Sequence, residues 1–191
     1  MNHSPSERLS RRNRAFIPLE YVEAYTFRAV DRCKAGDEPG AIVALGKALA
    51  MDPANEQALL LRGALWLLRE HPGKAIRDFS KALVRNSSNP AAYYKRGEAH
   101  QLLGHFRAAI ADYSRVLLLD PHHFEALLHR AVLYSYFHQV DRALSDFDRL
   151  MASDPRIAKA LAHWGVKKFL NGGNRMDDLK SVFRNPGGRR E

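Results

Sequence analysis

From about residue 22 to residue 170, apolar side chains recur every three to four positions in stretches of 11–14 residues. That spacing gathers them on one face of a helix. The breaks between stretches carry helix-ending chemistry. Pro53, Pro121 and Pro155 each follow an Asp, and proline disfavours helical geometry in the residue before it. The equivalent break at Asn86-Ser87-Ser88-Asn89-Pro90 has its proline displaced. Pro39 and Pro72 fall instead in the first turn of their helices, where a missing N–H does no harm. Asn171-Gly172-Gly173 is a strong stop. Beyond it, Met176, Leu179, Val182 and Phe183 predict a short helix over 175–183 with one apolar face.

The stretches are copies of one unit. Segments starting at Leu59, Tyr93 and Leu127 align at a spacing of 34, a looser copy starts at Tyr25, and a half-copy starts at Leu161. Two columns hold small residues: Ala29, Gly63, Gly97, Ala131 and Gly165, then Ala41, Ala75, Ala109 and Ala143. Small residues at fixed places on successive helices let the axes approach. Leu45, Phe79, Tyr113 and Phe147 form a large column that fills the space between units. Val116 and Leu150 stand where two other units have Ala48 and Ala82, so looser packing is expected there. The unit is helix–turn–helix.

This pattern resembles the tetratricopeptide repeat family over four repeats, 22–55, 56–89, 90–123 and 124–157, followed by a capping helix at 158–170. The resemblance implies an all-α, right-handed superhelical solenoid within residues 19–170, between a disordered basic tail at 1–18 and a short helix with a basic tail at 171–191. It also implies that the first helix of each repeat lines a concave groove that receives a peptide or helix of another protein. On that frame the groove is lined by Phe27, Val30, Leu60, Leu61, Ala64 and Leu67 in its apolar first half. Tyr94, Lys95, Glu98, His129, Val132 and His163 line its second half, and Thr26 stands on the same line. An apolar strip suits an amphipathic or apolar segment of a partner. A second copy of the chain, or its own Phe16, Ile17 and Leu19, would cover the strip equally well. One subset of the family grips chaperone tails through a two-carboxylate clamp of Lys, Asn and Arg. At the matching places this chain has Thr26, Val30, Leu61, Ala91 and Lys95, so a chaperone C-terminal tail is not the expected partner.

A further column has a structural explanation. Arg28, Arg62, Arg96 and Arg130 precede the small residue of each repeat, and Asp78, Asp112 and Asp146 lie sixteen positions after the last three. The expectation is a set of partly buried Arg–Asp pairs, missing in the first repeat, where Ala44 replaces the Asp. A phosphate-binding Arg ladder is the alternative. Lys47, Lys81, Arg115 and Arg149 read as a solvated outer stripe.

Charge changes the picture less than it first suggests. The 191 residues carry a formal +9, a hint of nucleic acid or anionic membrane. Most of that excess lies in residues 1–20 and 158–191, and the repeats between are nearly balanced. Association with nucleic acid or an anionic surface through the basic termini is therefore the alternative function, with a homo-oligomeric scaffold beside it. The Arg- and Ser-rich start has some character of a mitochondrial transit peptide, although Pro5 and Pro18 oppose the helix it needs. The single cysteine, Cys33, suits a reducing compartment, and a cytoplasmic protein is expected. Cys33 reads as a half-buried, inert thiol. No apolar run reaches the length of a membrane-spanning helix. Nine histidines include no tight Cys/His ligand set, and there is no phosphate-cradling glycine loop or nucleophile motif. Neither enzymatic activity nor a metal or cofactor is expected.

Overall fold

A computed structural model describes residues 19–153 of the chain. Eight helices and no strand occur among the described residues: α1 (Leu19–Lys34), α2 (Glu38–Met51), α3 (Glu56–Leu68), α4 (Pro72–Arg85), α5 (Pro90–Leu102), α6 (Phe106–Leu119), α7 (Phe124–Tyr136) and α8 (Val140–Ser153). The basic tail at 1–18, the capping helix expected at 158–170, the terminal helix at 175–183 and His163 lie outside the described residues.

The chain divides between Ser87 and Ser88 into two compact units. In the first, α1 packs on α2, α2 on α3, and α3 on α4; in the second, α5 packs on α6, α6 on α7, and α7 on α8.

The 34-residue spacing reappears in the chemistry of the helix ends. First helices start at side chains that accept a backbone N–H: Asn55 Oδ1 from Ala58 (3.0 Å), Asn89 Oδ1 from Ala92 (3.1 Å) and His123 Nδ1 from Ala126 (3.3 Å). Such bonds satisfy amides that the helix itself leaves orphaned. Second helices end at Asp52, Asn86 and Asp120, whose N–H groups return to the carbonyls of Ala48, Ala82 and Val116. Asn86 thus does the backbone work of the Asp that the second repeat lacks, and Pro90 opens α5 instead. Between the helices of a pair the chain turns through a left-handed residue at Gly36, Glu70, Gly104 and His138, with φ between 56° and 76°.

The small and large columns meet inside a repeat, a contact beyond the expectation that the large column fills the space between units. A Cβ built on Gly63 would stand 2.7 Å from Cε1 of Phe79, and one on Gly97 would stand 2.7 Å from Cε1 of Tyr113. Ala41, Ala75, Ala109 and Ala143 are all fully buried. Val116 and Leu150 are as completely buried as Ala48 and Ala82, so the larger residues in this column are enclosed by the core rather than left half-exposed.

Candidate binding surface

The Arg–Asp column forms as expected. In repeats two to four the guanidinium Nε and Nη2 of each Arg donate to the two carboxylate oxygens of the Asp sixteen residues on: Arg62 to Asp78 at 2.8 Å each, Arg96 to Asp112 at 2.9 and 2.7 Å, Arg130 to Asp146 at 2.8 and 2.7 Å. Two parallel bonds fix the planar fork against the planar carboxylate. Arg130 also donates from Nη1 to Ser114 on α6 at 2.9 Å. Burial alone would push the Arg130 guanidinium down, yet its bonds to Asp146 and that carboxylate's charge carry it above its ordinary value. These arginines hold helix to helix and are not a phosphate ladder. Lys47, Lys81, Arg115 and Arg149 are exposed, as a solvated stripe should be.

On the first unit, the predicted groove residues fall into three environments. Phe27 is 70% exposed on α1, and Ala64 is exposed on α3. Val30, Leu60, Leu61 and Leu67 are half-buried, with Leu60 and Leu61 packed against the unit's core. Thr26 is buried, its hydroxyl donating to the carbonyl of Val22 at 2.9 Å, so it faces inward and offers nothing to a ligand.

On the second unit, an aromatic and histidine cluster occupies the first-helix face. Tyr94 on α5 stacks on His123 at 5.0 Å between ring centres and lies 5.7 Å from His129 and 5.9 Å from Tyr113. Lys95 pairs with Glu98 at 2.8 Å and sits over the Tyr94 ring. Burial pushes the Tyr94 phenol well above its ordinary value, and the charge of Glu98 and a hydrogen bond to it add to the effect. His129 and Val132, expected among the groove contacts, both turn inward. Val132 is a core residue, 8% exposed. His129 is engaged inward: its Nδ1 lies 3.0 Å from the hydroxyl of the buried Tyr113, which donates to Gln101 Oε1 at 2.9 Å. Because that amide oxygen only accepts, Nδ1 of His129 carries the hydrogen it gives to Tyr113. Burial, then the charges of Lys95 and His123, pushes His129 down to about 4, so the ring is neutral at neutral pH. The helical frame locates a residue on a face; it does not reveal that a histidine there satisfies a buried tyrosine.

Two clefts went unrecognised in the sequence. One, about 520 Å³, is lined in the second unit by Gly104, His105, Phe106, Arg107, Tyr136 and Phe137, with the Phe106 and Tyr136 rings edge to face at 5.2 Å. The other, about 190 Å³, lies between α1 and α2. Cys33 is exposed, not half-buried. Partial desolvation, then the carboxylates of Glu38 and Asp37, pushes its thiol up. Among the described residues no three His, Cys, Asp or Glu side chains gather as a metal site, and no helix is long and apolar enough to cross a membrane.

A family model described as tetratricopeptide repeat matches residues 90–123. No curated protein matches the sequence. Among solved structures, the chain is similar to MamA at 23% identity and a TM-score of 0.71, over 90% of this chain and 97% of that one. It is similar to the first tetratricopeptide domain of Spaghetti (RPAP3) bound to an HSP90 peptide at 26% identity and a TM-score of 0.60, over 62% and 94%. It is similar to the Arabidopsis OM64 tetratricopeptide domain at 25% identity and a TM-score of 0.58, over 61% and 97%. With one tetratricopeptide repeat matched directly at residues 90–123, the same columns on either side of it and the helix pairs folded as in these structures, the chain has the tetratricopeptide-repeat fold.

Proposed function

We propose that the protein is a non-enzymatic interaction module that holds an apolar or amphipathic segment of a partner protein on the first-helix face of its repeats. The observation that carries this reading is Phe27, 70% exposed on α1. A large aromatic side chain left in water is costly unless another surface covers it. On the same unit α3 adds Leu60, Leu61, Ala64 and Leu67, and an amphipathic helix is the natural complement to such a face. The second unit, taken by itself, presents Tyr94, Lys95 and Glu98 on its own first-helix face. Relatives with this fold that are bound to HSP90 or HSP70 peptides support peptide capture as the general activity. The chaperone tail itself is disfavoured, because Thr26, at one clamp position, is buried and Val30, Leu61 and Ala91 hold no charge.

The test uses a photo-crosslinking amino acid at position 27 of the full chain, in the native cell. Crosslinks to one protein, lost with Phe27→Glu in a chain that still melts cooperatively, support the reading. Phe27 is a better variant than Leu61, which is half-buried against the core. Crosslinks only to a second copy of this chain would replace partner capture by self-association. Crosslinks unaffected by Phe27→Glu would sink the groove model.

A further inference from the structure

The cleft between α1 and α2 is lined by Tyr25, Arg28 and Arg32 from one helix and by Gly40, Val43, Ala44 and Lys47 from the other. We propose that this cleft is a carboxylate-binding site, built by Tyr25, Arg28 and Lys47 around Ala44, which takes an Asp or Glu side chain from an acidic segment of a partner protein.

The chain supplies its own template for the site. Sixty-eight residues on, the same positions hold Tyr93, Arg96, Asp112 and Arg115. There the guanidinium groups of Arg96 and Arg115 lie 5.5 and 5.9 Å from the centre of the Tyr93 ring, and Asp112 takes two hydrogen bonds from Arg96. In the first repeat, Arg28 and Lys47 approach the Tyr25 ring in the same way, both at 5.7 Å. The carboxylate alone is missing, because Ala44 stands where Asp78, Asp112 and Asp146 stand in the other repeats. Ala44 is 4% exposed and those aspartates are 4%, 5% and 2% exposed, so all four positions are equally enclosed. What differs is that the first repeat leaves an open cleft where the others hold a side chain.

The nearby acids are already committed. Asp37 holds Arg32, and the absence of a Cβ on Gly40 leaves room for that pair. Glu38 pairs with Arg69, and Asp31 with Lys34. Arg28 makes no hydrogen bond or ion pair among the described residues, and neither does Lys47. Two cations facing one aromatic ring favour an incoming anion, and the guanidinium fork selects a planar carboxylate. None of the residues at the chaperone-clamp places lines this cleft, so the site is separate from the proposed groove.

The probe is a fluorescein-labelled hexaglutamate peptide, titrated against the full chain by fluorescence anisotropy. The expected result is saturable binding that Arg28→Gln weakens by about tenfold, the loss of one charge-assisted bidentate contact. Ala44→Asp, which places the carboxylate inside the protein, is expected to abolish binding and raise the melting temperature. Ala111→Asp makes the same charge change at an exposed position of the second unit and should leave binding as in the wild type. Acetate should compete better than inorganic phosphate at equal ionic strength. No saturable binding by the wild type, equal binding by Arg28→Gln, or better competition by phosphate would overturn the proposal. The Arg28→Gln comparison stands even if Ala44→Asp does not fold.

Discussion

Gly97 lies against the ring of Tyr113 so closely that a Cβ at position 97 would stand 2.7 Å from Cε1. The ring has no room to yield. Tyr113 is fully buried, and its hydroxyl is held by Gln101 at 2.9 Å and by His129 at 3.0 Å. Gly97→Ala would gain about 1 kcal/mol in helix propensity and lose about 1–3 kcal/mol to overpacking, so a net loss of about 1 kcal/mol is expected. Gly46 on α2 is the control, since a Cβ there meets nothing within 4 Å. Gly46→Ala should stabilise by about 0.5–1 kcal/mol. Urea unfolding of both variants checks the opposite signs; stabilisation by both would mean that the Gly97–Tyr113 contact relaxes freely.

The Arg–Asp pairs make the second prediction. Asp146 is 2% exposed and takes two bonds from Arg130. Asp146→Ala removes the acceptor and leaves a guanidinium in a largely enclosed place, a change that costs about 3–5 kcal/mol for fully buried pairs. The Arg130 side chain keeps 15% exposure, so water recovers part of that loss, and a destabilisation of about 2–3 kcal/mol is expected. The double variant Arg130→Met/Asp146→Leu should recover most of it. A thermal melt of the single variant indistinguishable from that of the wild type would show that the pair contributes nothing net.

The turns make the third. Glu70 and His138 adopt φ of 56° and 57° at the places where the other two pairs have glycine. A left-handed conformation costs a residue with a side chain about 1 kcal/mol more than it costs glycine. Glu70→Gly and His138→Gly should therefore each stabilise by up to about 1 kcal/mol, less the value of the contacts each side chain makes. Chemical denaturation of each variant measures the difference. A loss of stability at both sites would mean that those contacts outweigh the backbone strain.

The same positions show what the sequence does and does not carry. The helix pairs, the small and large columns and the Arg–Asp ladder were all legible, because each is a column of one chemical kind repeated at one spacing; that Gly63 meets Phe79 and Gly97 meets Tyr113 was not, because a column does not name the column it packs against. Ala44 was legible as the break in its column. The left-handed turn column was hidden, since Glu70 and His138 replace the glycines that would announce it. The cap at His123 was hidden for the same reason, because histidine is an unusual substitute for the asparagines at 55 and 89. Helical periodicity assigned His129 and Val132 to a face, yet burial is decided by what packs over that face. For His129 the deciding neighbour is Tyr113, one helix away. The cleft at Ala44 needed coordinates, because a missing side chain becomes a site only when the cations around it have no other partner.

His129 makes the last prediction, a dependence of stability on pH. Unfolded, the ring takes its proton near its ordinary 6.5; folded, only near about 4. Between those values the unfolded chain binds more protons than the folded one, so stability is greatest above pH 6.5 and falls as pH drops through the window. Burial excludes the charged form, and Lys95 and His123 repel it; the Nδ1–H bond to the Tyr113 hydroxyl is available in both protonation states. From pH 7 to pH 5 the loss assignable to His129 is about 2 kcal/mol. His100, whose ring is also pushed down, by burial first, adds to the slope of the wild type. Urea unfolding at pH 7, 6 and 5 should therefore show wild type losing stability faster than His129→Leu, with about 2 kcal/mol separating their changes over that range. Tyr113 keeps its bond to Gln101 in the variant, so the comparison isolates the imidazole. Parallel pH profiles for the two chains would remove His129 as the titrating group.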